Sequence, residues 1–440
     1  MTTMNSNNKG GRVALVFGIS GDQGQYVATG LLASGDYEMV YGVTHHSKEH
    51  VHAIERQLGV PIVLRDINAL STDNSNGHSL NTLTLLEGDL SNAHFLETLF
   101  VNTKATHIFL VTTTDLPPID SADASLHDAE EREYETIKEF FDVLVKVHAE
   151  ERNKADSMER HVIFSTLENV RGLVEWLERH NREAGEIEAL MGIKPEVVKL
   201  TKDHANDLLN MKPLDDGEIC PNYTGKGRGG EYALRVVHGL SSPWEVGDLE
   251  SLYEYAAKAT PSIKEGLDVT LITLPFLHSN FTASAIPLPT CSGRATQWAI
   301  SAFLGDPSHP MDMLSVSDLQ YIVPTLFRNH QKKYSGRNIR LSAEKITMDE
   351  VAYQFADLFG KDVIYSPLTA DEMSEMEVPG APAFSQMCQY LGSEFANRGN
   401  VEETVNIMNE LGRHPQTFQD WLLTHSDSSA FERVGLTVDG

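Results

Sequence analysis

Residues Val13–Gly24 read VALVFGISGDQG. Val13 to Phe17 form an unbroken apolar run, the pattern of a strand buried on both faces of a parallel sheet. Gly18, Gly21 and Gly24 follow, and Tyr26, Val27, Leu31 and Leu32 then recur at helical spacing. The stretch predicts a strand, a glycine turn and the start of a helix. Gly18 lets the chain leave the strand sharply. Gly21 lets a pyrophosphate approach the backbone, and Gly24 lets the helix pack closely on the sheet. The helix start offers free N–H groups and the positive end of a dipole to an anion. The spacing is GxxGxxG, not GxGxxG, so the flanking strand and helix are what point to dinucleotide binding. On this reading Gly18, Ile19, Ser20, Gly21, Asp22, Gln23 and Gly24 form a phosphate cradle.

The rest of the chain supports a large core, with 440 residues of which 41% are hydrophobic. A net charge of −28 repels phosphate backbones and anionic lipids, which argues against direct nucleic-acid or membrane binding. Cys220, Cys291 and Cys388 lie far apart without metal or redox spacing, as expected in a reducing compartment. Residues 1–11, MTTMNSNNKGG, lack the apolar core of a signal peptide and are expected to be a loose tail. No run is long enough to span a bilayer. The expected location is the cytoplasm, with the nucleus also open. His46, His50 and His52 have no acidic or cysteine partners at ligand spacing, so no metal is expected.

Along the chain, Met39–Val43 reads as a second strand that ends at His45, His46, Ser47 and Lys48. This is where a dinucleotide fold meets the adenosine ribose. No carboxylate stands at the strand end to accept a 2′-hydroxyl. The donors and the lysine suit a 2′-phosphate instead, which favours NADP(H) over NAD(H). Asp66–His78 is polar and reads as a loop insertion. Thr82–Leu86 returns to strand pattern and ends in Glu87, Gly88, Asp89 and Leu90, where a carboxylate commonly sits near the adenine. His107–Val111 is another strand, ending in Thr112, Thr113 and Thr114 at the sheet's carboxyl edge. Ala129–Val147 reads as a helix and His161–Phe164 as a strand ending at Ser165. This alternation predicts a parallel α/β sheet. Residues 168–222 are charged and helix-rich, and Asn222–Gly230, NYTGKGRGG, reads as a glycine-rich loop. Val269–Phe276 reads as a strand broken by Pro275. Ile339–Leu341, a helix over Met348–Phe359 and Val363–Tyr365 read as a last strand–helix–strand unit. Pro415–His425 reads as a closing amphipathic helix.

Proton-transfer residues are harder to find. A short-chain reductase uses a serine with a Tyr-x-x-x-Lys pair, in which lysine lowers the tyrosine pKa. Ser165 falls where that serine belongs. Tyr134–Lys138 has the spacing but precedes the fifth strand of the alternation, whereas the pair belongs on the helix after it. Lys138 therefore enters only as a candidate ligand contact, and catalytic residues stay unassigned apart from Lys226 and His278 as candidates.

Several segments together resemble the NmrA-like family, atypical members of the short-chain dehydrogenase superfamily. FGISGDQG is similar to the family's FGxTGxQG turn, and FSTLENV at Phe164–Val170 to its fifth-strand segment. TGKG at Thr224–Gly227 resembles its glycine–lysine loop, and LPFLHSNF at Leu274–Phe281 its L-P-x-x-x-x-N stretch. MDMLSVSDL, YSGRNIRLSAEKIT, VPGAPAF and QTFQDWL continue the likeness to about His425. The resemblance implies a Rossmann-type doubly wound parallel sheet with a smaller α/β C-terminal subdomain over the cofactor edge. It implies that Gly18–Gln23 cradle the pyrophosphate and that His45–Lys48 hold the 2′-phosphate. Asp89 and Leu90 would lie by the adenine and Thr112–Thr114 along the nicotinamide side. Lys226 would contact the cofactor, and Leu277, His278, Ser279 and Asn280 would close over the nicotinamide. His45 stands where relatives usually have arginine, and Glu135 where some have a cofactor lysine. The implied organisation is a tail over 1–11, a family domain over 12–425 and a tail over 426–440. Within the domain, 12–237 is the Rossmann core with a charged insertion at 171–222, 238–266 is an insertion, and 267–425 completes the sheet and the subdomain.

Two functions fit. One is a redox-sensing regulator that binds NADP(H) and acts through a protein partner, itself a transcriptional or signalling regulator, with a homodimer left open. The missing tyrosine–lysine pair supports it. The other is an NADPH-dependent reductase of a small quinone- or enone-like substrate. A nucleotide-sugar epimerase fits less well, for want of the same pair.

Overall fold

The apolar runs of the sequence become the strands of one eight-stranded sheet. The computed structural model describes residues 12–45, 47–71, 82–112, 126–153, 158–191, 206–209, 211–214, 217–292, 295–301, 308–329, 333–376 and 380–438. The strands are β1 (Arg12–Phe17), β2 (Tyr37–Thr44), β3 (Ile62–Arg65), β4 (Leu83–Glu87), β5 (His107–Val111), β6 (Arg160–Thr166), β7 (Leu267–Thr273), β8 (Phe276–Leu277), β9 (Leu288–Ser292), β10 (Ala295–Ile300), β11 (Met311–Leu314), β12 (Asn338–Arg340), β13 (Glu344–Ile346) and β14 (Val363–Tyr365). The large sheet runs β12-β7-β6-β5-β1-β2-β4-β3, and every neighbouring pair in it is parallel. The chain leaves β1 toward β2 on one side and returns to β5 on the other. The crevice between β1 and β5 is thus the topological switch point, where open α/β sheets bind ligands.

The longer helices are α1 (Asp22–Ser34), α2 (Ser47–Leu58), α3 (Ala93–Thr103), α4 (Leu126–Asn153), α5 (Val170–Met191), α6 (Pro221–His238), α7 (Leu319–Asn329), α8 (Met348–Phe359), α9 (Ala381–Leu391), α10 (Val401–Asn409) and α11 (Phe418–Thr424). Strand alternation sends side chains to two cores. Ala14, Val16, Phe109 and Ile163 meet α1 and α7 on one face, with Val27, Leu31, Ile322 and Leu326. Leu15, Phe17, Ile108, Leu110 and Phe164 meet α3, α4 and α6 on the other, with Leu99, Phe140, Leu144 and Leu234. Burial on both faces is why β1 and β5 read as continuous apolar runs rather than alternating ones.

A smaller α/β subdomain has its own aromatic core of Phe276, Phe281, Phe355, Phe359, Phe418, Trp421 and Phe431. Its sheets are β14-β10-β9 and β13-β11-β8. Pro275 lies where the chain leaves the large sheet after β7 and enters β8, which pairs with β11. A proline without an N–H suits such a switch.

Two expectations change, and one segment is placed. Ile339–Leu341 and Val363–Tyr365 do not form one unit, because β12 extends the large sheet beside β7 while β14 pairs with β10. Residues 426–440 are no free tail over their described part: Ala430, Phe431 and Leu436 are buried against the subdomain. Over its described residues the charged 171–222 segment is anchored, because Leu173, Val174, Trp176 and Leu177 of α5 pack with Leu208, Met211 and Cys220. Residues 1–11 and 72–81 lie outside the described residues.

Candidate functional site

Tertiary contacts explain two of the glycines of the first turn. Gly18 has φ +70°, and a Cβ there would come within 2.5 Å of Val111 Cγ1. At Gly24 a Cβ would lie 2.3 Å from the Gly18 carbonyl oxygen, so α1 packs directly on the turn. Gly21 differs. Its Cβ would meet only that same oxygen, at 3.6 Å, which is ordinary contact. The protein itself does not require glycine at 21, whereas a pyrophosphate approaching the backbone would. Gly21 is also the N-cap of α1 and no side chain caps the helix. The turn therefore presents N–H donors at the sheet edge, and it fits a pyrophosphate. Ile19 is buried under Gly42, and Ser20 and Asp22 are exposed.

At the next strand ends, His45 Nε2 lies 4.0 Å from Asp89 Oδ1, with both side chains half exposed. Burial raises the Asp89 carboxyl, but hydrogen bonds from the Ser91 backbone and hydroxyl and the charge of His45 outweigh it, and its pKa falls. An ionised carboxylate therefore faces the imidazole at the ends of β2 and β4. Leu90 packs on the β4–α3 side. Ser47 and Lys48 open α2. Their side chains, together with His46, Thr113 and Thr114, lie outside the described residues.

The centre of the edge is built by three elements. Lys226 Nζ of α6 donates to the Thr112 carbonyl oxygen at 2.7 Å and lies 3.7 Å from Glu133 Oε1 of α4. Thr112 Oγ1 donates to the same Glu133 oxygen at 2.7 Å. Ser165 Oγ at the end of β6 donates to Gln23 Oε1 at 2.7 Å, tying β6 to the start of α1. Gln23, Ser165, Lys226, Leu277 and Asn280 line one cavity of about 230 Å3, so distant sequence segments converge there. Its far wall is apolar, with Phe276, Phe384, Met387 and Leu391.

Lys226 sits on a helix, not in the loop expected from NYTGKGRGG. The glycines there serve close packing. A Cβ at Gly225 would lie 2.6 Å from the Glu130 carbonyl oxygen, at Gly227 2.2 Å from the Asn169 nitrogen, and at Gly230 2.7 Å from Thr166 Oγ1. Two other candidates fall away from the cavity. His278 is fully buried beside Phe418 and Trp421 and does not line it. Burial pushes its pKa down to about 3, so the ring is neutral. Lys138 pairs with Glu135 and Asp142 along α4 and does not line the cavity either. Ser279 stays beside Asn280 in a short turn, where its carbonyl accepts from Thr282 Oγ1.

Sequence reading missed Glu133, Tyr223 and the α9 wall. Tyr223 lies three residues before Lys226, a same-face spacing on a helix that carries no signal while the stretch is read as a loop. Phe384 closes the VPGAPAF segment already quoted, but nothing local places that segment over the sheet edge.

The parallel sheet, its switch point and the glycine turn define a Rossmann-type α/β fold. The sequence pattern of the NmrA-like family matches residues 262–422 of this chain. Among solved structures, NmrA in complex with NADP, a negative transcriptional regulator, superposes with TM-score 0.53 and 14% identity, covering 94% of each chain. NmrA in complex with NAD gives the same values. An NADPH-dependent quinone oxidoreductase from Escherichia coli, complexed with NADPH, superposes with TM-score 0.50 and 11% identity, covering 94% of this chain and 99% of the other. At such identities the likeness is one of fold.

Proposed function

We propose that this protein binds NADP(H) and works as a redox-sensing regulator through a protein partner. The observation that carries the reading is the make-up of the cavity beside Thr112. Its phenol and its thiol are held out of the neutral range. Burial raises the Tyr223 phenol well above its ordinary value and pushes the Cys388 thiol up to about 12. Lys226 is tied to Thr112 and Glu133. General acid–base catalysis works best with a group titrating near the working pH, and this cavity offers a nicotinamide a contact surface instead. In this reading the N–H groups of Asp22–Gly24 at the start of α1 bind pyrophosphate, His45 and its neighbours bind the 2′-phosphate, and Lys226 and Asn280 face the nicotinamide. Cofactor bound between sheet and subdomain favours one arrangement of the two and so shifts partner affinity.

The apolar wall of Phe276, Phe384 and Met387 beside Lys226 favours one alternative, reduction of a flat quinone-like substrate. Such a molecule needs a cation near the oxygen that gains charge more than a positioned proton donor. When bound, NADPH would supply the hydride. Calorimetric titration with NADP⁺, NADPH, NAD⁺ and NADH, then quinone-dependent NADPH oxidation on the same sample, separates the readings. Tight NADP(H) binding without turnover is the expected result. Turnover abolished by Lys226→Ala would make it a reductase, and no binding of any dinucleotide would sink both.

A further inference from the structure

Helix α6 has two working faces. Tyr223 and Lys226 reach the cavity at the sheet edge. Arg228, Glu231, Tyr232 and Arg235 follow helical spacing and line a second cavity, of about 300 Å3, on another side. Arg171 and Arg179 of α5 complete its basic wall. Four guanidinium groups around one cavity stand out in a chain of net charge −28.

Two of the four are committed. Arg171 pairs with Glu130 and Glu218, and Arg228 with Glu130 at 2.9 Å and Glu131 at 2.6 Å. The other two are not. Arg179 reaches the Trp244 carbonyl oxygen at 3.2 Å, and Arg235 lies 5.2 Å over the Tyr232 ring. Among the described residues neither has a carboxylate within ion-pair distance. Two carboxyl groups also line the cavity. Glu231 accepts from Trp244 Nε1 at 2.8 Å, and burial pushes its pKa up to about 7, which weakens it as a counter-charge. Glu175 is exposed and screened by solvent. The remaining walls are aromatic. Tyr134 lies 4.0 Å beneath the Arg228 guanidinium and edge-on to Tyr232, and Trp244 rests on Gly172, where a Cβ would come 2.6 Å from the indole.

We infer that this second cavity binds a small aryl phosphate, with the phosphate between Arg179 and Arg235 and the ring against Tyr134, Tyr232 and Trp244. A phosphate dianion matches two uncommitted guanidinium groups in charge, and their planar forks match its oxygens. Aromatic walls take an aryl ring edge-on or offset-stacked. The site stands apart from the glycine turn, so it holds whether or not the dinucleotide reading does.

The test titrates the full chain with phenyl phosphate, inorganic phosphate and phenol, by calorimetry and phosphorus NMR, with and without excess NADPH. Phenyl phosphate is expected to bind at one equivalent, more tightly than inorganic phosphate, with phenol undetectable and NADPH without effect. The R179Q/R235Q variant changes two exposed side chains and is expected to weaken phenyl phosphate at least tenfold with its circular dichroism unchanged. Tyr134→Leu is expected to weaken phenyl phosphate and leave inorganic phosphate alone. Displacement by NADPH would assign the binding to the glycine turn and overturn the inference. Equal binding by the wild type and R179Q/R235Q would overturn it too, and so would equal affinity for phenyl phosphate and inorganic phosphate.

Discussion

Enclosure by Phe418 and Trp421 turns His278 from a candidate acid into a packing residue. Among the described residues neither ring nitrogen has a hydrogen-bond partner. Its native pKa is pushed down to about 3, so the unfolded chain takes up a proton that the native state refuses. Stability is therefore fully present above about pH 6.5, the unperturbed histidine value, and falls as pH drops from there toward the native value. The slope from this group approaches 1.4 kcal/mol per pH unit. Urea unfolding of His278→Leu between about pH 7 and about pH 5 should show a shallower acid loss than the wild type, with cofactor affinity unchanged. At the ends of β2 and β4 His45 faces the ionised Asp89. A guanidinium is permanently charged and forks onto phosphate oxygens, whereas imidazole is mostly neutral near pH 7. His45→Arg should therefore raise the NADP⁺ to NAD⁺ affinity ratio by about tenfold, or ~1.4 kcal/mol, in parallel titrations. The glycine turn was legible at this scale, because closely spaced glycines between an apolar run and a helical pattern mark a tight strand-to-helix turn. The state of His278 was not, since a histidine in LPFLHSNF carries no local mark of what will cover it.

Among the elements, α6 departs most from its sequence. Glycine costs a helix about 1 kcal/mol per residue relative to alanine, and this helix carries it at 225, 227, 229 and 230. Close packing on α4, β6 and the Asn169 backbone offsets that cost. Gly227→Ala should lose about 1–3 kcal/mol by thermal or urea unfolding despite the better propensity of alanine, because its Cβ would lie 2.2 Å from a backbone nitrogen. Gly247→Ala, where nothing lies within 4 Å, is the control and should stay within about 0.5 kcal/mol. Strands and long helices were read closely: His107–Val111 and Met348–Phe359 match the observed β5 and α8 in both ends. Such elements bury whole faces, and burial writes itself into periodicity. Glycine contacts between elements leave no periodic trace.

Across the whole molecule, Glu168 ties the sheet to the subdomain side. Its carboxylate accepts from Arg340 Nη2 at 2.6 Å and Arg398 Nη2 at 2.8 Å, joining the end of β6 to β12 and to the segment before α10. Burial raises its pKa, but the two guanidinium charges outweigh that and hold it below the usual carboxylate range. Glu168→Gln leaves two cations without their counter-ion and should cost about 3 kcal/mol in unfolding experiments. Saturating NADPH, at about a hundred times its dissociation constant, should add about 2.7 kcal/mol to the wild type and raise its melting temperature accordingly. Sequence alone determined the parallel α/β class, the strand–glycine turn–helix at Val13–Gly24 and the edge residues Thr112 and Ser165, because each rests on a local pattern of burial or backbone freedom. Only the tertiary structure decided that NYTGKGRGG is a helix, that β12 and β14 belong to different sheets, that His278 is sealed while Lys226 and Asn280 share one cavity, and that α6 faces an arginine-lined pocket on another side. These depend on segments far apart in the chain meeting in space, which no window of sequence records.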